Sequence, residues 1–245
     1  MTRPRNTADL VPVSLAVLLG IAGVVVYAVL WVGHSHHWGW LYDADWSLLT
    51  PAHDVGIKHP GWVRFWDVVS VVLGPFVLRP LGLLAAVIAL VMRKVRVGLL
   101  LLACAPLDGL VTTVAKDLAG RPRPATALVF APSTAFPSGH ALEAMASLLA
   151  LLVFLLPMMK AQAMRVAAVA VAAVSVVTVG VARVALNVHH PSDVIAGWAL
   201  GYVYFLLCLW VFRPVPIAGP KGPGRSALSR RSDPTGSKAL LDPEV

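Results

Sequence analysis

Pro191–Phe212, PSDVIAGWALGYVYFLLCLWVF, carries a single charged residue, Asp193, and carries it at the start. About 20 apolar residues in a helix cross the hydrocarbon core of a bilayer, so this stretch is long enough to span one. Pro191 suits the first helical position, where a missing N–H costs nothing. Asp193 then falls in the first turn, at the membrane boundary. Similar apolar runs lie N-terminal to it, at Val11–Val32, Phe76–Met92, Val97–Ala115, Ser138–Leu156 and Arg165–Val184. The expected fold class is therefore all-α, a polytopic membrane bundle of about six transmembrane helices. The second run is short and contains Arg79-Pro80, so it begins earlier or dips obliquely. Trp62–Leu73 alternates polar and apolar residues and reads as a helix at the interface.

Composition points the same way. Of 245 residues 58% are hydrophobic and 13% charged, against about 25% charged in a soluble domain. The net charge of +8 sits in short clusters between apolar runs, without the aromatic-interleaved stripe that bases require, and nucleic acid is not expected as a partner. Cys104 and Cys208 lie within apolar runs as small buried hydrophobes. Arg3 and Arg5 precede an apolar stretch of full spanning length with no small-residue cleavage site after it, which reads as an uncleaved first helix.

Short basic loops set the orientation. With both termini cytoplasmic, 13 basic residues fall inside and seven outside, and the cluster Arg93-Lys94-Arg96 and the pair Lys160/Arg165 lie inside. The segment 34–75 is then extracytoplasmic, and a multi-pass plasma-membrane protein is expected. Residues 1–212 form the expected membrane-embedded domain. Residues 213–245, rich in Pro, Gly, Ser and basic side chains, read as a disordered cytoplasmic tail drawn to anionic lipid.

On this topology the outward polar residues gather at three helix ends. Lys116, Arg121 and Arg123 close the third span. A guanidinium grips two phosphate oxygens where an ammonium acts as a point charge, though such a cluster also suits a solvated loop with snorkelling side chains. Pro137-Ser138-Gly139-His140 opens the fourth span: Ser138 suits an N-cap, Gly139 admits an anion to the backbone, and the helix terminus favours phosphate. His140 is placed to protonate a leaving oxygen. Between the fifth and sixth spans come Arg183, Asn187, His189, His190 and Asp193. From the first turn of its helix Asp193 can reach the ring N–H of His189 and fix the tautomer as the other nitrogen attacks. His190 is expected to be an interfacial neighbour.

Lys116 followed after six residues by Arg123-Pro124, then Pro137-Ser138-Gly139-His140, then Arg183, five residues, His189, three residues and Asp193: this order and spacing resembles the tripartite signature of the type 2 phosphatidic acid phosphatase, or lipid phosphate phosphatase, family. The resemblance runs from the first span to the sixth. It implies that His189 is the nucleophile forming a phosphohistidine, that Asp193 orients it and that His140 is the general acid. It also implies that Lys116, Arg123, Ser138, Gly139 and Arg183 hold the phosphoryl oxygens of a lipid phosphate substrate, with no metal and no cofactor. Arg121, between matched positions, and Glu143, one turn past His140, stand behind that set. The family often has Ser before the third-motif Arg, where this chain has Ala182.

The implied activity is hydrolysis of a polyprenyl diphosphate, phosphatidic acid or phosphatidylglycerophosphate. A phosphotransferase using the same site is the nearest alternative. A vanadate-dependent peroxidase is disfavoured by the short hydrophobic chain, and a transporter or scaffold has no use for the His189/Asp193/His140 set. His34, His36 and His37, beside Trp31, Trp38 and Trp40, fit an interfacial belt better than a metal site. Asp108 lies inside the third span and is a functional candidate on that ground.

Overall fold

A computed structural model describes residues 13–213. The expected tail lies almost wholly outside the described residues. Among the described residues nine α-helices follow one another: α1 Val13–Ser35, α2 Gly39–Lys58, α3 Pro60–Val72, α4 Pro75–Val91, α5 Val95–Cys104, α6 Asp108–Ala119, α7 Gly139–Leu155, α8 Gln162–Ala185 and α9 Pro191–Phe212. Six stretches are long and apolar enough to cross a membrane: α1, α3 with α4, α5 with α6, α7, α8 and α9. Over the described residues the protein is an all-α membrane bundle of six spans. Rows of apolar side chains stay exposed on its outside, Val171, Val174 and Val177 of α8 among them, as a lipid-facing surface requires.

Helix α9 packs on α7 and α1, so the last span lies at the centre. Glycines allow the close approach: a Cβ at Gly197 would sit 2.5 Å from the Ser138 carbonyl oxygen, and one at Gly201 2.5 Å from that of Leu142. With nothing gained from the hydrophobic effect between lipid-solvated helices, such small-residue contacts drive association. The start of α9 is thereby fixed against the start of α7.

Two spans are broken. Pro106 interrupts the third between α5 and α6. The Ala103 carbonyl takes the Tyr204 hydroxyl at 2.9 Å and the Cys104 carbonyl takes the Ser147 hydroxyl at 2.8 Å, which satisfies polar backbone at membrane depth. Trp62–Leu73, expected as a helix lying at the interface, is instead α3, part of one apolar stretch Pro60–Val91 broken at Leu73-Gly74. The expected second span corresponds to α4. Helix α2 was not anticipated within the 34–75 segment; it packs on α8 and α9.

Candidate active site

Three local devices bring the polar groups to one end of α7 and α9. Past α6, Gly120 turns the chain in the left-handed region at φ 59°, where glycine has no steric penalty. Past α8, Asn187 does the same at φ 53°, a conformation that Asn tolerates better than most residues. Asn187 is fully buried, and its side chain accepts from the Thr126 hydroxyl at 2.8 Å. The third device joins the two helix starts: the Ser138 amide donates to the Asp193 backbone oxygen at 2.9 Å.

His189 is 1% exposed. Arg123 Nη1 lies 3.2 Å from its Nε2. A guanidinium has donors only, so Nε2 accepts, and the ring proton belongs on Nδ1. That nitrogen stands 3.6 Å from Asp193 Oδ2, longer than a hydrogen bond. The expectation that Asp193 bonds the His189 ring needs amending. Its Oδ2 instead accepts the His190 amide at 2.8 Å and faces His190 Nδ1 at 3.0 Å, because the capping box at the start of α9 draws the carboxylate onto the N-cap residue. His190 is thus more than an interfacial neighbour: it anchors Asp193 and meets Trp46 edge-on.

The other sequence-predicted residues divide by what they touch. Arg123 also donates to the carbonyls of Val188 at 2.6 Å and Ser133 at 2.7 Å. Lys116, nearly buried, donates to the Thr134 carbonyl. A Cβ on Gly139 would meet Thr112 at 2.8 Å and the Lys116 stem at 3.9 Å, so α6 presses its cation against the first turn of α7. Ser138 occupies the N-cap of α7 but makes no capping bond, and its buried hydroxyl has no partner. Arg183 bonds the Ser70 hydroxyl of α3 at 2.8 Å while its buried Nε stays unpartnered. His140, half-buried, has the N-cap glycine of α4 against its ring: a Cβ on Gly74 would sit 2.8 Å from His140 Cδ2. Open donors on Ser138 and Arg183, with the first amides of α7, are what a bound oxyanion would satisfy.

Arg121 and Glu143 point elsewhere. Arg121 donates to Asp193 Oδ1 at 2.6 Å, Ser192 Oγ at 2.7 Å and Asp45 Oδ2 at 2.8 Å. Glu143 pairs with Arg79 of α4 at 2.9 Å, not with His140. Asp108 is fully buried with both oxygens unpartnered. His34 and His37 line a cavity of about 470 Å³ with Trp38, Tyr42, Arg123 and His190; His34 packs on Phe136 at 4.8 Å. Among the described residues no three His, Cys, Asp or Glu side chains form a group that could hold a metal ion. Sequence reasoning passed over Asp45, Ser70 and Arg79. Only a period of four with buried Leu41 and Leu49 marks Asp45 as inward-facing.

Burial pushes the His189 ring down to about 3, with the nearby Arg183 and Arg123 in the same direction and Asp193 opposing. The nucleophile candidate is therefore neutral at any ordinary pH. In the unfolded chain a histidine takes its proton near 6.5, so between those values the unfolded state binds more protons and stability rises with pH. Thermal unfolding in detergent is expected to move to lower temperature from pH 7 to pH 5. His189→Asn should flatten that slope; an equal slope in the variant would assign it to other groups.

The PAP2 superfamily profile matches residues 97–216, a segment containing all three motifs. No curated protein matches the chain in sequence. Among solved structures, the chain is similar to the transmembrane PAP2-type phosphatidylglycerolphosphate phosphatase from Bacillus subtilis, at 28% identity and TM-score 0.67, over 81% of this chain and 96% of that one. Residues 97–216 thus carry the PAP2 superfamily profile, and the described residues share a six-span fold with a transmembrane PAP2-type phosphatase.

Proposed function

We propose that this protein is a metal-independent lipid phosphatase that works through a phosphohistidine on His189. The observation that carries this reading is the placement of the His189 ring, with Nε2 3.2 Å from the Arg123 guanidinium and Nδ1 on the side of Asp193, which assigns the lone pair to Nε2. Nε2 attacks phosphorus, the ester or anhydride oxygen departs, and His140 protonates it as it leaves. Lys116, Arg123 and Arg183, with Ser138 and the amides at Gly139, hold the equatorial oxygens, where charge is spread in the transition state. Water then attacks the phosphohistidine, His140 takes its proton, and inorganic phosphate and free His189 result.

The substrate class is a lipid phosphate or diphosphate. The similarity to a phosphatidylglycerolphosphate phosphatase puts phosphatidylglycerophosphate first, with phosphatidic acid and polyprenyl diphosphate beside it. The protein sits in the plasma membrane with both termini cytoplasmic and the site outside, a reading supported by the basic loops.

The test is phosphate release by detergent-purified protein from those three substrates, with and without EDTA. Release from at least one of them, unchanged by EDTA, is expected. Activity lost to EDTA and restored by a divalent cation would make this a metal enzyme and overturn the reading.

A further inference from the structure

Asp45 is a buried carboxylate that the proposed chemistry leaves without a task. It is 1% exposed on α2, two residues from the exposed Asp43. Its Oδ1 accepts the Ser192 amide at 2.9 Å, and its Oδ2 takes the Ser192 hydroxyl at 2.7 Å and Arg121 Nη2 at 2.8 Å. A carboxylate removed from water persists only where its acceptor sites are filled, and here every one of these donors belongs to Arg121 or to the first turn of α9. Two anions, Asp45 and Asp193, share one cation between them.

We infer that Asp45 is a positioning residue for the phosphoryl transfer, acting through Arg121 and Ser192 on Asp193 and so on His189. It does this in two ways. It caps the Ser192 amide, one of the orphan donors at the start of α9, and so fixes the turn from which Asp193 projects. It also holds one arm of Arg121, so that the guanidinium is not given over to Asp193 alone. The 3.6 Å gap between Asp193 and His189 Nδ1 must close as the ring becomes positive on phosphorylation. An Arg121 released from Asp45 would turn its full charge on Asp193 and oppose that closure. Asp45 touches no group proposed to hold phosphate, so its effect belongs to turnover rather than to binding.

This inference rests on the phosphohistidine reading, and the experiment separates the two. Steady-state kinetics on a lipid phosphate in mixed micelles are compared for the unaltered protein and for Asp45→Asn, Ser192→Ala, Arg121→Gln, Asp45→Asn/Arg121→Gln and His189→Ala. For Asp45→Asn, kcat should fall about 10–100-fold, the scale of a misplaced catalytic group, with KM within about twofold. Ser192→Ala should lower kcat about threefold, again at constant KM. The double variant should be no slower than Arg121→Gln, since residues acting as one unit do not add. An unchanged kcat in folded Asp45→Asn, a change confined to KM, or losses that multiply in the double variant would overturn the inference. If Asp45→Asn does not fold, an unchanged kcat in Ser192→Ala overturns it. Activity surviving in His189→Ala would instead overturn the phosphohistidine reading.

Discussion

His189→Ala should lower phosphate release by about four to six orders of magnitude, the scale on which removal of a covalent nucleophile acts. Substrate affinity should change far less, because the cations proposed to hold the phosphate remain. The expectation comes from the directional chemistry of one ring. Its Nε2 accepts from Arg123 and is therefore unprotonated. Burial keeps the whole ring neutral, so no proton has to leave before attack. Radiolabelled substrate quenched within a single turnover should leave acid-labile label on the unaltered protein and none on the variant. A variant that still releases phosphate within tenfold of the original rate would end the proposal, and water would then have to attack the substrate directly.

The six spans were readable because lipid imposes a simple rule: backbone polar groups must be satisfied within the segment, so spans are long apolar helices. Pro191–Phe212 coincides with α9 at both ends, since Pro191 marks the start and Arg213 the stop. Other boundaries were less legible. Helix α2 has a mixed composition and its own Pro51, so it shows neither the apolar run of a span nor a clean amphipathic period. The site was legible where helix ends placed chemistry in short motifs. It was not legible where a partner came from far along the chain: Asp45 reaches Ser192 across 147 positions, and Ser70 reaches Arg183 across 113. Local spacing fixes which helix face a residue occupies, but only packing decides what it meets. That is also why Asp193, four residues from His189, was assigned to its ring. The capping box claimed the same oxygen for His190 and left the His189 ring 3.6 Å away.

Asp193→Asn should lower kcat by about 10³–10⁴-fold, the cost of losing the carboxylate that orients a catalytic imidazole. It should also destabilise the protein by about 3 kcal/mol, as expected when one partner of a buried ion pair is removed. Both effects follow from a mismatch of donors. Asp193 Oδ1 accepts from Arg121 at 2.6 Å, and Oδ2 accepts from the His190 amide at 2.8 Å. An asparagine must put its NH₂ in one of these places, where it meets a donor that cannot change its role. The positive ring formed when His189 takes the phosphoryl group then has no carboxylate within 4 Å of Nδ1, so the intermediate should form slowly. His189→Ala removes the adduct altogether, whereas Asp193→Asn should leave it detectable but delayed in a single-turnover quench. Thermal unfolding in the same detergent gives the stability half of the prediction. Asp193→Asn protein with kcat within tenfold of the original and unchanged unfolding would mean that the carboxylate serves neither the ring nor the start of α9. A loss of stability with normal kcat would make Asp193 a helix cap, and the tautomer of His189 would then rest on Arg123 alone.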